Sequence, residues 1–468
     1  MIFSKSENFK AEYSCTIVRV GAIEEVKDST FLGVTMVEGF PIVVRRDQVK
    51  EGDIMVYVAN ECELNPTFCK KNNLFEDSSL NEDSTKKGYF NKYGRVRIVK
   101  LRGQASMGYL FGTEELVNSG LVKRDFKLSI ADVETMFDSI GGEIFVKPYV
   151  PRVKSSNRVV SNKRNKKLKL FNRVIPGEFS FHYDTDQLER NMHMFRPNDD
   201  ISISVKLHGT SAIIGNVKTL KPKWNGLYAK IFPFLPKFLQ RTTTEYDYIC
   251  SSRSVIINGK YMNDDKVSFG NDVQREIYEY MKLLKSVGAL DNGETIYGEI
   301  VGYYTGTYTP IQKMGKPYDY GCNVGESKLM IYRVNLDCDG VKTDMNVDEV
   351  LHWTNVLIHN HPELSNKIMP INLLYHGKMQ DLYPDIDTEN VYTWRDAFIS
   401  RLSQDKNFGM EKTESLCKNN VPREGIVVRK DNDIVKEAFK LKCMKFRFKE
   451  AESIDNGEVD AEMEQAYS

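Results

Sequence analysis

The chain has 468 residues, 41% of them hydrophobic and 28% charged, which excludes a single ordinary core and fits a globular protein of two or three domains. Its 65 basic residues balance 65 acidic ones, so a uniformly basic nucleic-acid binder is excluded while a chain with segregated charge is not. No run approaches the roughly 18–20 apolar residues that a membrane-spanning helix needs, and the opening MIFSKSENFK lacks the apolar core of a secretory leader.

Eight cysteines occur without a CxxC pair. Neither a zinc site nor a disulfide framework is indicated, and free thiols in a reducing compartment, cytoplasmic or nuclear, are expected.

Residues 1 to about 115 read as short strands between turns: CTIVRVGAIEEV, GFPIVVRRDQV, GDIMVYVA and YGRVRIVKLRGQASMGYLF. Such a succession suggests a small barrel of the OB type. Residues 116–150 are expected to form a helical extension, so that 1–150 make an OB-fold-like nucleic-acid-binding domain. From Arg152 to Arg173 there are nine Lys or Arg residues and no Asp or Glu, and 151–178 is read as a basic linker. The segment KWNGLYAKIFPFLPKFLQR, 223–241, is apolar and basic with two prolines; a buried loop is the expectation there. DVQREIYEYMKLLKSV and TWRDAFISRLSQ carry helical periodicity. The segment 179–450 mixes strands, helices and loops, and 451–468 is an acidic tail expected to be disordered.

Five short stretches carry candidate chemistry. SVKLHGTSAI alternates polar and apolar residues up to Lys206 and then breaks at Gly209. ETIYGEIVGY places Glu299 on an apolar strand before Gly302. KLMIYRVN carries Tyr332, and PREGIVVRK places Glu424 at the mouth of a strand. AFKLKCMKF puts Lys440 and Lys442 on one face, because strand side chains repeat every two residues. Each alone has an ordinary structural explanation: an exposed strand lysine, a sheet-edge glutamate, a core tyrosine, a solvated strand face. Their order along the chain is the informative feature.

That order, K-x-H-G, YGEIVG, an aromatic strand, EGIVVR and K-x-K, is similar to the motif series of the covalent nucleotidyltransferases, the polynucleotide ligases and capping guanylyltransferases. KLHGT, rather than K-x-D-G, resembles the RNA ligase branch related to T4 RNA ligase 2. TPIQKMGKPYDYGC and VPREGIVVRK look closest to the Naegleria- and Deinococcus-type RNA ligases, which also carry an N-terminal OB domain. The resemblance implies an α+β fold, an adenylation domain of antiparallel sheets and helices preceded by a small all-β OB domain. It implies an ATP-dependent RNA ligase that joins 3′-OH and 5′-phosphate ends, with nicks the expected substrate, as a monomer with no membrane partner.

By the same carry-over Lys206 is the nucleophile that accepts AMP. Glu299 and Glu424 hold Mg²⁺ or Mn²⁺ and contact the ribose. Tyr332 lies on the adenine face, and Lys440 with Lys442 contacts the α-phosphate. Arg253, in SSRSVIING, matches the arginine that follows the nucleophile motif, with Arg241 in competition. A lysine amine is protonated at neutral pH and must be desolvated or set among cations before it attacks. Gly209 is expected to let backbone approach the nucleotide closely. Ser211 departs from the asparagine that the T4-related branch carries there, which touches end joining rather than lysine adenylylation. A DNA ligase, a GTP-dependent capping guanylyltransferase and a non-catalytic RNA-binding relic of the fold are the alternatives. His208, where DNA ligases show aspartate, opposes the first. The OB-like domain preceding the core opposes the second.

Overall fold

The computed structural model describes residues 2–150, 171–182, 185–224, 228, 231–232, 235, 237–260, 269–338, 340–410, 412–431 and 436–456. Residues 151–170 of the expected basic linker, and the acidic tail beyond 456, lie outside the described residues.

The first part of the chain is an all-β unit around its own core. Leu32–Val37 and Phe40–Arg45 form a hairpin in which Phe40, Ile42 and Val44 point inward at alternate positions. Glu38 and Gly39 turn it with φ of 48° and 78°, the left-handed pair that a two-residue hairpin requires. Ile54–Val58 runs between Cys15–Arg19 and Tyr109–Phe111. Ile17, Val56, Phe68, Phe111, Phe137 and Phe145 fill the interior.

The expected helical extension is corrected here. The helical residues there are Thr113–Ser119 and the single 3-10 turn Ile130–Asp132. Residues 136–148 return as short strands: Met136–Phe137 pairs with Cys15–Arg19, Ser139–Ile140 with Phe3–Ser4, and Val146–Pro148 with Cys62–Leu64. The stretch SIGGEI has apolar residues flanking a Gly-Gly turn, with both glycines at positive φ. That is hairpin chemistry rather than helix chemistry.

The larger part stacks two sheets face to face. A five-stranded sheet has the order Asp186–Gln187, Ala438–Lys442, Gly425–Lys430, Asp200–Lys206, Leu373–Lys378. Alternation in DISISVK decides its faces. Ile201, Ile203 and Val205 pack with Ile426, Val428, Trp394 and Phe398, which leaves Ser202, Ser204 and Lys206 on the opposite face. The second sheet of six strands runs Thr242–Ser251, Thr210–Pro222, Glu294–Gly302, Ser327–Cys338, Val341–Asp344, with Ile368–Pro370 beside Ser327–Cys338. The helix Asp272–Val287, N-capped by Asn271, buries Ile277, Met281 and Leu284 against Ile214, Ile296 and Val334 of this sheet. No helix among the described residues is long and apolar enough to cross a membrane.

The C-terminal helix Met444–Asp455 joins the two parts. Phe446 belongs to the core under the five-stranded sheet, whereas Ala451 belongs to that of the N-terminal unit, with Met444 and Phe448 packed beside it. The acidic tail was expected from 451, yet the helix continues to Asp455 because Ala451 and Ile454 are buried. Its end is fixed by the buried Arg95, which donates to Glu61 at 2.8 Å and to Asp455 at 2.5 Å. Arg190 reaches Glu38 at 2.7 Å elsewhere in the same interface.

Removing Arg95 leaves two carboxylates facing each other in a partly dry interface. We expect Arg95→Ala to cost about 2 kcal/mol in urea unfolding, with Asp455→Asn costing less because Glu61 still partners the guanidinium. Equal, negligible effects of both substitutions would show that the interface does not depend on this cluster.

Candidate active site

A cavity of about 150 Å³ opens between the two sheets. Its floor is a grid set by strand register. Lys206 lies opposite Gly425, which lies opposite Lys442. Two residues along, Ser204, Val427 and Lys440 form the next row, and Ser202, Arg429 and Ala438 the third. All of these except Gly425 line the cavity. The expected pairing of Lys440 and Lys442 on one strand face is therefore present, and the same face receives Lys206 two strands away.

The opposite wall comes from the six-stranded sheet. Ser211 pairs with Glu299 in register, and both line the cavity. A bulge between Tyr297 and Gly298 leaves Tyr332 as the extra residue of its strand. Consecutive Tyr332 and Arg333 both reach the cavity as a result. Arg253 lines the cavity, whereas Arg241 is exposed at the start of the strand Thr242–Ser251 and does not.

Six of the seven expected site residues thus meet in one cavity: Lys206, Arg253, Glu299, Tyr332, Lys440 and Lys442. Glu424, the seventh, lies beneath it. Its Oε1 is 2.8 Å from Lys206 Nζ and its Oε2 is 3.4 Å from His208 Nδ1. Burial by itself raises the proton affinity of Glu424, but the Lys206 ammonium and then His208 outweigh that and hold it well below the ordinary carboxylate range. His208 is buried with Tyr318 and Phe446 edge-on to its ring at 4.8 and 5.1 Å. Burial likewise works against the Lys442 ammonium, yet Glu450 at 2.7 Å and Glu424 leave its proton affinity raised.

Gly209 does something other than expected. A Cβ there would lie 2.4 Å from the Ile300 carbonyl oxygen and 2.7 Å from Glu299 Cγ. The glycine therefore admits the Glu299 strand rather than a ligand. Its N–H donates to Glu299 Oε1 at 3.2 Å and its carbonyl accepts from Gln312 at 2.9 Å.

Several lining residues were not singled out from the sequence. Arg429 is two strand positions beyond Val427 and could have been found from the alternation in EGIVVRK. His182 comes from the segment after the basic stretch, its ring 5.6 Å from that of Tyr332. Glu12, from the N-terminal unit, reaches Lys440 at 3.1 Å. No local pattern announces a pair that distant in the chain.

No cluster of three or more metal-ligating side chains occurs among the described residues. The donor set suits a hard cation that keeps waters and takes one or two carboxylates plus substrate phosphate. Glu299 fits such a role, with the Ser211 hydroxyl, buried and without a hydrogen-bond partner, across from it. Glu424 fits less well while it holds Lys206 and His208.

A family model described as RNA ligase matches residues 199–449, and an OB-fold domain model matches residues 14–113. Among solved structures, a lysine-to-alanine variant of Naegleria gruberi RNA ligase with ATP and Mn gives a TM-score of 0.51 at 13% identity, covering 93% of this chain and 98% of that one. Glutamate-to-alanine and arginine-to-alanine variants of the same ligase, each with ATP and Mn, give the same values. At that identity the likeness establishes the fold, α+β with an N-terminal OB domain. No curated protein matches the chain.

The depressed proton affinity of Glu424 yields a pH dependence. Its folded pKa is below the unfolded value of 4.5, so its contribution to stability is complete above that pH and declines progressively as pH falls from there through the folded value. Glu424→Gln should cost about 3 kcal/mol at neutral pH, and the difference from wild type should shrink as urea unfolding is repeated toward about pH 3. A difference that stays constant with pH would mean that the Lys206–Glu424 pair is not the source.

Proposed function

The chain belongs to the RNA ligase family, and from that premise we propose that it is an ATP-dependent enzyme sealing 3′-OH and 5′-phosphate RNA ends through a lysyl-AMP intermediate at Lys206. The observation that carries this reading is the grid of Lys206, Lys440 and Lys442 on one floor of a cavity whose other wall presents Glu299 and Tyr332. The family match favours RNA ligation over the DNA ligase and capping alternatives.

In the first step the Lys206 amine attacks the α-phosphorus of ATP, a P–N bond forms, and pyrophosphate leaves with the electrons of the broken P–O bond. The amine must first lose a proton. Glu424 orients it, but a carboxylate held so far below neutrality is a poor place to store that proton. The proton leaves to water, helped by the field of Lys440 and Lys442. Those two ammonium groups then oppose the charge that grows on the phosphoryl oxygens. In this structure Glu12 and Glu450 occupy them, so phosphate oxygens must replace carboxylates on binding. A divalent cation, Mg²⁺ or Mn²⁺, held through Glu299 and phosphate oxygens would neutralise further charge there. Tyr332 offers its ring to the adenine.

AMP then passes to the RNA 5′-phosphate, regenerating the free lysine and forming a new P–O–P bond. The 3′-hydroxyl attacks that activated phosphate and AMP leaves. A cleft of about 1170 Å³ between the two parts of the molecule supports the RNA reading; Lys10, Lys147, Tyr149, Arg253 and Arg447 line it, and it continues into the site at Lys440. Binding by phosphate contacts of this kind weakens as salt rises.

Sealing of a nicked RNA duplex, with ATP and Mn²⁺, should fall at least about a thousandfold in Lys206→Ala. Sealing should return when the 5′-end is supplied already adenylylated. Lys440→Ala should lose about a hundredfold in transfer of label from α-labelled ATP to protein. Undiminished labelling of folded Lys206→Ala would overturn the assignment, and label from GTP instead of ATP would revive the capping alternative.

A further inference from the structure

The single turn Ala11–Tyr13 of the N-terminal unit carries Glu12 across the interface to the edge of the five-stranded sheet. Asp186–Gln187 is the outermost strand there, and Gln187 lies opposite Lys440 in register. Glu12 Oε1 meets both of these neighbours: Lys440 Nζ lies 3.1 Å away and Gln187 Nε2 donates at 3.0 Å. An ammonium and an amide on adjacent strands, with Lys442 two positions further on, make a site for an anionic oxygen. It adjoins the cavity, which Lys440 and Lys442 line.

The backbone beneath Glu12 is anchored. The Ala11 carbonyl accepts from Arg190 and, at 2.8 Å, from the Ser14 hydroxyl. The Arg190 side chain is itself buried, pairs with Glu38 at 2.7 Å and lies over the Tyr57 ring at 5.8 Å. These contacts do not involve Lys440, so they persist when the Glu12 side chain turns away from it. A carboxylate tethered in this way returns to its site from a high effective concentration. Glu450 differs, because it meets Lys442 from eight residues along the same segment and brings in no second unit.

We propose that Glu12 is a tethered competitor for phosphate: nucleotide gains Lys440 and Gln187 by displacing it, and it thereby weakens the binding of ATP and of pyrophosphate. This rests on the reading of Lys440 as a phosphate-binding residue. A tethered competitor reduces apparent affinity to the fraction of molecules in which the site stands open. The consequence is direction. Pyrophosphate that stays in the cavity attacks the phosphorus of lysyl-AMP and re-forms ATP, the P–N bond breaking and the nitrogen taking a proton. A carboxylate that refills the site once pyrophosphate departs opposes that return.

The test uses the full chain carrying Lys206→Ala, in which no covalent step follows binding. Calorimetry would titrate it with ATP and Mg²⁺, with pyrophosphate and with adenosine. Adding Glu12→Gln, which keeps the shape and removes the charge, should tighten ATP and pyrophosphate about tenfold and leave adenosine unchanged. Glu38→Gln is the control, since it removes a partner of Arg190 in the same interface but no contact of Lys440. It should lower the urea midpoint and leave ATP affinity alone. With Lys206 intact, Glu12→Gln should also lower the ATP concentration that gives half-maximal label. Unchanged or weaker ATP binding in the Glu12 variant would overturn the proposal. So would equal tightening of adenosine, or equal tightening of ATP by Glu38→Gln. Tighter ATP binding without label in the chain that retains Lys206 would leave the competitor standing and sink the covalent reading instead.

Discussion

Side chains on a strand return to the same face every second residue, so a slip of one position between Asp200–Lys206 and Gly425–Lys430 would send Lys206, Ser204 and Ser202 away from the cavity together. Gly425 prevents the slip. Its φ is 157°, and a Cβ would lie 2.1 Å from the Leu441 carbonyl oxygen, so the close approach of the two backbones here admits no side chain. The Lys206–Glu424 pair fixes the row from the side-chain direction. Because Gly425 lies between Lys206 and Lys442, the two lysines look across it with no side chain intervening.

Around that row the molecule gathers charges that are far apart in the chain. Glu12 and Glu450 hold the two lysines of the closing motif from two directions, one from the N-terminal unit and one from the helix that docks on it. Burial works against Glu12 as an anion, but Lys440 and Lys442 hold its proton affinity below the ordinary value. Placement of the N-terminal unit and the electrostatics of the cavity are therefore coupled through the same side chains. An anionic substrate that takes over Lys440 also releases a contact between the two parts.

The sequence was informative where short stretches stood in a fixed order along the chain. Lys206, Glu299, Tyr332, Lys440 and Lys442, singled out by the order of their stretches and the family resemblance, come together in one cavity with Glu424 beneath it. The α+β architecture and the N-terminal OB domain followed from the same stretches and the strand-rich opening. Other features depended on partners distant in sequence. Met136–Phe137 and Val146–Pro148 pair with strands more than seventy positions earlier, and the Gly-Gly hairpin between them was the local signal passed over when 116–150 was read as a helical extension. Glu450, Ala451 and Asp455 look like the start of an acidic tail until Lys442, the N-terminal core and Arg95 come to meet them. Gly209 looked like room for a nucleotide, and the structure spends that room on a strand.

Whether this grid forms a covalent enzyme is tested most directly by locating the AMP. Purified protein would be incubated with ATP and Mn²⁺ without RNA, digested, and its peptides sequenced by mass spectrometry. The account predicts a single adenylylated residue, Lys206, within the stretch SVKLHGTSAI. An adduct on Lys440 or Lys442, or folded protein with no adduct at all, would contradict it.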